Sequence, residues 1–217
     1  MQVLIFGATG SAGGCVLRQC MQSPQVSSIR ALARRPLDLT HPKLAVTIHQ
    51  DYLDFTSARQ AFEGLDACFF CLGKSVGQVS SEDEYRLITH DFALAAAGAL
   101  QDGSPDASFH FLSGEGASLR SPAMWARVKA ETERDLAPFG AVCWRPALID
   151  GRGSASEPWS YKIIRPLGRI FFSGSRRWYV TGDDIGRAMI AAAAANVRSR
   201  MFRNADIRDL ADTARGA

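Results

Sequence analysis

The sequence predicts an α/β protein with a doubly wound parallel sheet. Three observations support this prediction: strand-like runs alternate with helical patterns, several of these runs are apolar throughout, and a glycine-rich turn follows the first of them. Continuous apolar runs are typical of parallel strands that are buried on both faces. Alternating strands and helices imply right-handed crossovers, which place helices on both sides of one sheet.

Six strands and five helices are predicted in order along the chain. The strands are Val3–Phe6, Ser28–Ala33, Ala45–His49, Ala67–Leu72, Ser108–Leu112 and Ala141–Trp144. The helices are Ala12–Gln22, Ser57–Phe62, Glu82–Leu100, Ala123–Ala137 and Asp183–Asn196, and a further helix is left open over Tyr161–Phe172. Each strand is therefore short enough, and each gap long enough, for strand–helix–strand units.

Length and composition fit one ordinary globular domain over residues 1–217. Hydrophobic residues make up 47% of the chain and charged residues 22%, with a formal net charge of +3. This composition excludes wholesale disorder, and so mild a charge gives no reason to expect a nucleic-acid partner. No apolar run approaches the roughly 18 residues of a membrane span, so we expect no membrane insertion. After Pro146 the sequence becomes richer in glycine and serine, which is typical of loops. We expect residues 146–217 to form a small substrate-side cap on the same domain.

The cysteines and the start of the chain indicate a reducing compartment. Five cysteines, an odd number, lie in apolar contexts, which favours free thiols over disulfides. Cys68 and Cys71 have the spacing of a redox or zinc motif but sit inside an apolar run, so we expect buried strand thiols and no metal site. The chain begins directly with a strand and shows no signal-peptide pattern, and we expect a cytoplasmic protein.

The strongest functional signal is the turn after the first strand, Gly7-Ala8-Thr9-Gly10-Ser11-Ala12-Gly13-Gly14. A strand before it and a helix after it are the context that a dinucleotide-binding turn requires. Gly7 permits a tight turn, Gly10 leaves room for a pyrophosphate, and Gly13 allows close helix–strand packing. Thr9, Ser11 and Ala12 complete the predicted turn at a helix N-terminus, whose free N–H groups attract phosphate. A structural turn without a ligand is the alternative.

The end of the second strand discriminates between NAD and NADP. An NAD site places an acidic residue there for the ribose 2′-hydroxyl, whereas this chain has Arg34 and Arg35 and no carboxylate. Two guanidinium groups suit a 2′-phosphate through charge-assisted hydrogen bonds. We therefore predict NADP(H) as the cofactor, with NAD(H) less favoured. The alternative for the two arginines is a solvated basic turn.

Other candidates for cofactor binding lie where later strands end. Asp51 follows the third strand and is a candidate acceptor for the adenine amino group, whereas Asp54 fits a helix cap better. Leu72 and Gly73 end the fourth strand, at the edge where open α/β sheets bind ligands. Gly73 would let the backbone approach the cofactor closely.

Together these motifs resemble a known family. Gly-Ala-Thr-Gly near the start, the arginine pair, Gln-Asp-Tyr, Phe-Cys-Leu-Gly, Phe-Leu-Ser, a Val-Lys helix and Trp-Arg-Pro follow one another over nearly the whole chain. The series resembles the atypical short-chain dehydrogenase/reductase superfamily, which has the Rossmann fold. Within it, the chain is most similar to the branch of the Tat-interacting-protein group of NADPH-binding proteins. The resemblance implies hydride transfer between NADP(H) and a small carbonyl substrate.

The resemblance also implies a reactive set, a Ser after the fifth strand and Tyr-x-x-x-Lys on the next helix. Ser113 matches the Ser and Lys129 the Lys, but Trp125 stands where the family has Tyr. An indole N–H donates a hydrogen bond but does not titrate usefully, so the acid–base site is degenerate. Ser113 is expected to orient a carbonyl, Lys129 to bind the nicotinamide ribose, and Pro146 to lie near the nicotinamide.

Two functions therefore stay open at this point. The first is an NADPH-dependent oxidoreductase with a weakened acid–base site, acting on a small carbonyl substrate. The second is a non-catalytic NADPH-binding sensor or a module that binds an unknown protein partner. An epimerase acting on a sugar nucleotide is less favoured because it normally needs the missing Tyr. The chain is expected to be a monomer or a homodimer.

Overall fold

A parallel sheet dominates the computed structural model, which describes residues 1–151 and 175–216. The strands are β1 Gln2–Phe6, β2 Ser28–Ala33, β3 Leu44–Ile48, β4 Ala67–Phe70, β5 Ser108–Leu112, β6 Val142–Arg145, β7 Leu148–Asp150, β8 Tyr179–Thr181 and β9 Met201–Arg203. Seven of these described strands form one sheet in the order β3-β2-β1-β4-β5-β6-β9, and β7 pairs with β8 alone. The order reverses direction between β1 and β4, which is where sheets of this kind bind ligands.

Six α-helices lie in the described part of the chain. They are α1 Ser11–Gln22, α2 Glu82–Arg86, α3 Phe92–Gly103, α4 Met124–Asp135, α5 Gly182–Ala194 and α6 Asn204–Gly216. Shorter 3₁₀ segments occur at Thr56–Phe62, Val76–Gln78 and Ala137–Phe139, and a π-helical turn at Leu87–Asp91 joins α2 to α3. Among these described helices, none is both long and apolar enough to cross a membrane.

Two hydrophobic layers hold the sheet, one on each face. On one face, Val3 and Ile5 of β1 pack with α1, α5 and α6. On the other face, Phe6 and Phe70 pack with α3 and the segment Thr56–Phe62. Neighbouring side chains along a strand point to opposite faces, so one strand supplies both layers. The doubly wound α/β fold and the single domain predicted above are confirmed.

The C-terminal region differs from the prediction. The strands β7, β8 and β9 and the helix α6 were not predicted, because three-residue strands show no usable alternation. Within residues 175–216, Val180, Ile185, Phe202 and Ile207 are buried in the same layer as Val3. The described part of the predicted cap is thus largely a completion of the core, with β9 added beside β6. The helix left open over Tyr161–Phe172 lies outside the described residues.

The earlier elements follow the prediction closely. All six predicted strands occur: Ser28–Ala33 and Ser108–Leu112 have the predicted bounds, and the ends of the other four are shifted by at most two residues. The predicted helix at Ser57–Phe62 is a 3₁₀ segment, and the long predicted helix Glu82–Leu100 is interrupted by the π-helical turn. All five cysteines are free and buried. Burial raises the pKa of Cys71 to about 12 and that of Cys68 well above its usual range, so both are held as thiols, Cys68 within β4 and Cys71 directly after it.

Candidate functional site

Two glycines of the turn after β1 are required by the packing of the backbone. Gly7 has φ +76°, a region that favours glycine, and a Cβ on it would lie 2.6 Å from the Cys71 carbonyl oxygen. A Cβ on Gly13 would lie 2.2 Å from the Gly7 carbonyl oxygen. Both positions therefore exclude any side chain. They bring the first turn of α1 against the ends of β1 and β4.

Two further glycines leave the backbone bare toward open space. Gly10 is the residue before α1, and no side chain caps that helix end. Among the described residues, a Cβ on Gly10 would meet the Gly7 carbonyl oxygen at 3.2 Å and no other atom within 4 Å, and one on Gly73 would meet none. The α1 N-terminus carries a partial positive charge and unpaired N–H groups. This arrangement fits a pyrophosphate, as predicted for Gly10 and Gly73.

A cavity of about 320 Å³ opens at this edge of the sheet. It is lined by Gly10, Ser11, Ala12, Cys71, Leu72, Gly73, Lys74, Ser75, Gln78, Tyr85, Thr89, Leu112, Lys129, Ala147, Leu148 and Ile149. Six of the residues predicted to bind cofactor thus share one cavity. The lining residues from α2 and β7, together with Lys74 and Ser75, were not predicted.

A second cavity, of about 530 Å³, adjoins the first. It is lined by Lys74, Ser75, Val76, Gly77, Tyr85, Ser113, Gly114, Glu115, Trp125, Lys129, Pro146, Ala147 and Ile149. Six of these residues line both cavities, so the two form one continuous groove. The structure therefore brings the predicted Ser113, Lys129, Trp125 and Pro146 to one place, next to the predicted cofactor cavity.

Ser113 and Lys129 form the polar centre of the second cavity. Ser113 is only 3% exposed, and its hydroxyl has no hydrogen-bond partner among the described residues. The Lys129 ammonium donates to the carbonyls of Leu112, at 3.2 Å, and of Ser113. Burial lowers the pKa of Lys129 to about 8. An unpaired buried hydroxyl beside a cation suits a substrate oxygen that gains negative charge.

Trp125 lies four residues before Lys129, on the same side of α4. The Trp125 ring and the Lys129 ammonium both lie near Gly114, since a Cβ built there would be 3.7 Å from each. His110 lies on β5, three residues before Ser113, but lines neither cavity. It is fully buried, accepts a hydrogen bond from the Trp144 indole at 3.2 Å and contacts the Ser108 hydroxyl at 2.9 Å. Burial lowers its pKa to about 3, so it is neutral.

The remaining predicted cofactor residues lie outside the two cavities. Thr9, Arg34 and Arg35 are exposed. The pairing of β1 with β2 sets Phe6 opposite Leu32, so the arginines lie at the same edge as the glycine-rich turn. Their position fits the predicted contact with a cofactor phosphate.

Asp51 and Asp54 organise the loop after β3. The Asp51 carboxylate accepts from the N–H groups of Leu53 at 2.9 Å and Asp54 at 3.3 Å. Asp54 accepts from the Thr56 N–H at 2.8 Å and from its hydroxyl at 2.6 Å, next to the start of the 3₁₀ segment, although Phe55 and not Asp54 is the residue at its N-cap. Asp51 therefore stabilises a turn, and its contact with adenine stays a prediction.

Several known proteins are similar in sequence to this chain over most of its length. No protein-family model matches the chain. The chain is similar to the protein "FMP52, mitochondrial" of Eremothecium gossypii, with 23% identity over 97% of each chain. It is also similar to HTATIP2 of Rattus norvegicus, with 28% identity over 87% of this chain and 79% of the relative. The similarity to HTATIP2 agrees with the predicted Tat-interacting-protein branch.

Solved structures share the fold. DesIV, a dTDP-glucose 4,6-dehydratase from Streptomyces venezuelae with NAD and TYD bound, superposes with a TM-score of 0.73 at 15% identity, covering 99% of this chain and 80% of that one. A short-chain dehydrogenase/reductase-family oxidoreductase from Burkholderia thailandensis has a TM-score of 0.69 at 16% identity, covering 95% and 92%. The chain thus has the Rossmann fold of the short-chain dehydrogenase/reductase proteins, and the predicted resemblance is confirmed.

The comparisons correct the expected location. The relatives from Eremothecium gossypii, Emericella nidulans and Saccharomyces cerevisiae are all named as mitochondrial proteins. This finding contradicts the cytoplasmic location expected from the first residues. That expectation was wrong because it relied on the lack of one kind of signal, the secretory one, which says nothing of other compartments.

Proposed function

We propose that this protein binds NADP(H) and reduces a small carbonyl substrate. One observation carries the proposal: a cavity with bare backbone at a helix N-terminus adjoins a cavity that holds a partly buried ammonium and a buried hydroxyl with no partner among the described residues. The first cavity suits a dinucleotide and the second a polar oxygen of a substrate. Lys129 lines both cavities, so one side chain can contact the cofactor and the substrate at the same time.

The cofactor roles follow from position along the groove. The pyrophosphate would lie against Gly10 and the α1 N-terminus, with Gly73 allowing close approach from the β4 side. Arg34 and Arg35 would hold the 2′-phosphate by charge-assisted hydrogen bonds. Lys129 would donate to the nicotinamide ribose. When bound, the reduced nicotinamide supplies a hydride.

The substrate roles belong to the second cavity. The Ser113 hydroxyl donates to the carbonyl oxygen, and this bond satisfies a buried group that has no partner among the described residues. The Lys129 ammonium stabilises the negative charge that develops on that oxygen. Trp125 and Pro146 add apolar side chains to the wall of the cavity. Lys74 is paired with Glu84 and Glu115 with Arg203, whereas the Lys129 ammonium donates to backbone carbonyls beside the Ser113 hydroxyl. A cation and a hydroxyl at one place favour a small aldehyde or ketone.

Two measurements test this proposal. Fluorescence titrations with NADPH and NADH should give micromolar or tighter binding of NADPH and a preference for it of about 10- to 150-fold, the worth of one or two charge-assisted hydrogen bonds. Equal affinities would discard the NADP assignment. Mixing the NADPH complex with a panel of aldehydes and ketones should oxidise the cofactor in a single turnover.

A second candidate function is a non-catalytic NADPH-binding protein. Trp125 favours it, because the residue in this place does not titrate. The two candidates share the titration result and differ in the single turnover. NADPH that binds tightly but is never oxidised by any carbonyl on the panel would favour the sensor or interaction module.

A further inference from the structure

A tyrosine among the described residues lines the groove, and it belongs to α2 rather than to α4, where the resemblance places the family Tyr. Tyr85 of α2 lines both cavities, in each case together with Lys129. It is 3% exposed, so it is a buried residue that forms part of the wall of both cavities.

Ion pairs on either side of Tyr85 hold α2 against α4, the helix that carries Trp125 and Lys129. Glu82 pairs with Arg127 at 3.0 Å, and Arg86 pairs with Glu131. Glu82 lies one turn before Tyr85 and Arg86 one residue after it, so the two pairs restrain the position of Tyr85 relative to α4. Partly exposed ion pairs contribute little to overall stability, but two of them on one short helix limit its rotation.

A third ion pair connects α2 to Lys74, a residue that lines both cavities. Glu84 accepts from the Lys74 ammonium at 2.8 Å and from the N–H and hydroxyl of Ser80, each at 2.8 Å. The Lys74 hydrogen bond and those from Ser80 lower the pKa of Glu84 to about 2, so the pair persists at neutral pH. Tyr85, the next residue, therefore lies on a short helix that three ion pairs fix in position beside the two cavities.

We propose that the Tyr85 phenol takes the place of the phenol that the resemblance expects at position 125. This inference rests on the proposed function. The substrate oxygen lies between two hydroxyls, those of Ser113 and Tyr85, which approach it from β5 and from α2. Tyr85 is then a catalytic residue in the strict sense, because its oxygen touches the reacting group.

The proton balance of the step is simple. The reduced nicotinamide would supply a hydride to the carbonyl carbon. The carbonyl oxygen, which then holds the former C=O π pair, would take the proton of the Tyr85 O–H. The products are an alcohol, the oxidised cofactor and a tyrosinate. The Lys129 ammonium in the same cavity stabilises the tyrosinate, which then takes a proton from water. The indole of Trp125 transfers no proton.

A binding experiment without turnover tests the contact directly. The probe is isobutyramide, whose carbonyl accepts hydrogen bonds but takes no hydride, added to protein loaded with NADP⁺ and followed by ligand-observed NMR. Tyr85→Phe keeps the ring and removes the hydroxyl. We expect it to weaken isobutyramide roughly 5- to 10-fold, as Ser113→Ala should, since each removes one hydrogen bond. Tyr52→Phe is the matched control, because its buried hydroxyl contacts the Leu32 carbonyl outside both cavities.

Turnover adds a second readout. Tyr85→Phe should lower kcat/KM about 10²- to 10⁴-fold, the usual cost of losing a general acid, with NADPH affinity unchanged. Replacing all tyrosines by 3-fluorotyrosine, which acidifies each phenol with little change of shape, should move the alkaline limb of the wild-type pH profile to lower pH. This measurement applies even if Tyr85→Phe folds poorly.

The outcomes separate the two proposals. Isobutyramide affinity in Tyr85→Phe equal to that of the wild type, with NADPH still bound, overturns the role of Tyr85 and leaves the proposed function standing. An alkaline limb that does not move with 3-fluorotyrosine has the same meaning. Failure of the wild type to bind NADPH overturns the proposed function, and the role of Tyr85 with it.

Discussion

The two ends of the groove are built in different ways. The cofactor end is made of backbone: one turn between β1 and α1, with the end of β4 beside it, where Gly7 and Gly13 leave less than 3 Å for any Cβ. The substrate end is made of side chains, Ser113 after β5, Lys129 on α4 and Tyr85 on α2. A site made of backbone tolerates no change of residue type, whereas a site made of side chains can obtain the same chemistry from another segment.

This difference explains why Trp125 is compatible with an intact fold. The Trp125 ring lies over the loop after β5, where Cβ atoms built on Gly114 and Gly116 would lie 3.7 and 3.5 Å from it. These are ordinary packing distances, so the indole is well accommodated. By contrast, a side chain at Gly13 would overlap a carbonyl of the main chain. The cofactor end is therefore the more sensitive of the two, and the predictions below begin there.

Gly10→Val should have the largest effect of any substitution in the groove. The branched side chain would fill the space in front of the α1 N-terminus, and we expect NADPH affinity to fall by more than about 100-fold while the protein still folds. Gly98→Val in α3 is the control that should bind normally, since a Cβ on Gly98 would have no atom of the described residues within 4 Å. Fluorescence titration measures affinity and circular dichroism measures folding. Unchanged affinity in a folded Gly10→Val protein would reduce the turn to a structural feature.

The arginine pair should have the next largest effect, and only on the choice of cofactor. Arg34→Ala with Arg35→Ala should remove most of the expected 10- to 150-fold preference for NADPH and leave NADH affinity nearly unchanged, since only NADPH carries the 2′-phosphate. Arg59→Ala removes a charge from an arginine that is 81% exposed and lies outside both cavities, so it should keep the preference. A double variant that still prefers NADPH would assign the arginines to a solvated turn.

The sequence predicted the features that depend on local patterns and missed a side chain whose position depends on contacts between distant segments. The sheet, the glycine-rich turn and the positions of Ser113 and Lys129 all depend on local patterns, and the structure agrees with them. Tyr85 lines the groove because a π-helical turn at Leu87–Asp91 and ion pairs to α4 set the position of α2. No periodicity encodes contacts between segments about 40 residues apart. The strands β7 to β9 were missed for a different reason, their length of three residues.

Moving the phenol tests whether the substrate end can obtain its proton from either helix. In the Tyr85→Phe background, Trp125→Tyr restores a phenol four residues before Lys129, on the same face of α4. We expect kcat/KM to recover roughly 10-fold, a part of the 10²- to 10⁴-fold factor attached to proton transfer, because the smaller ring leaves space in a cavity shaped by an indole. Trp125→Phe in the same background should recover nothing. Equal recovery by both variants would show that the smaller ring, and not the hydroxyl, matters.

The smallest predicted effect concerns the buried charge that both cavities share. The pKa of Lys129 is about 8 in the folded protein, because burial disfavours the ammonium, and near 10.5 when the chain is unfolded. Between these values the unfolded chain binds more protons, so the contribution of Lys129 to stability rises with pH and is constant below and above that window. Since the side chain is only partly buried, we expect a rise of roughly 1–2 kcal/mol.

Urea unfolding at pH 7.5 and pH 10 measures this rise as the difference between wild type and Lys129→Met. The comparison with a variant is necessary because Cys71, whose pKa of about 12 lies above its unfolded value, changes stability in the opposite direction over the same range. Lys43→Met is the control, since that ammonium donates to the Ser23 carbonyl far from the groove. The wild type should gain stability relative to Lys129→Met on going to pH 10, and no such gain should appear relative to Lys43→Met. A gain of equal size against both variants would mean that Lys129 carries no special burial cost, and the substrate end would then lack the desolvated cation on which its proposed chemistry depends.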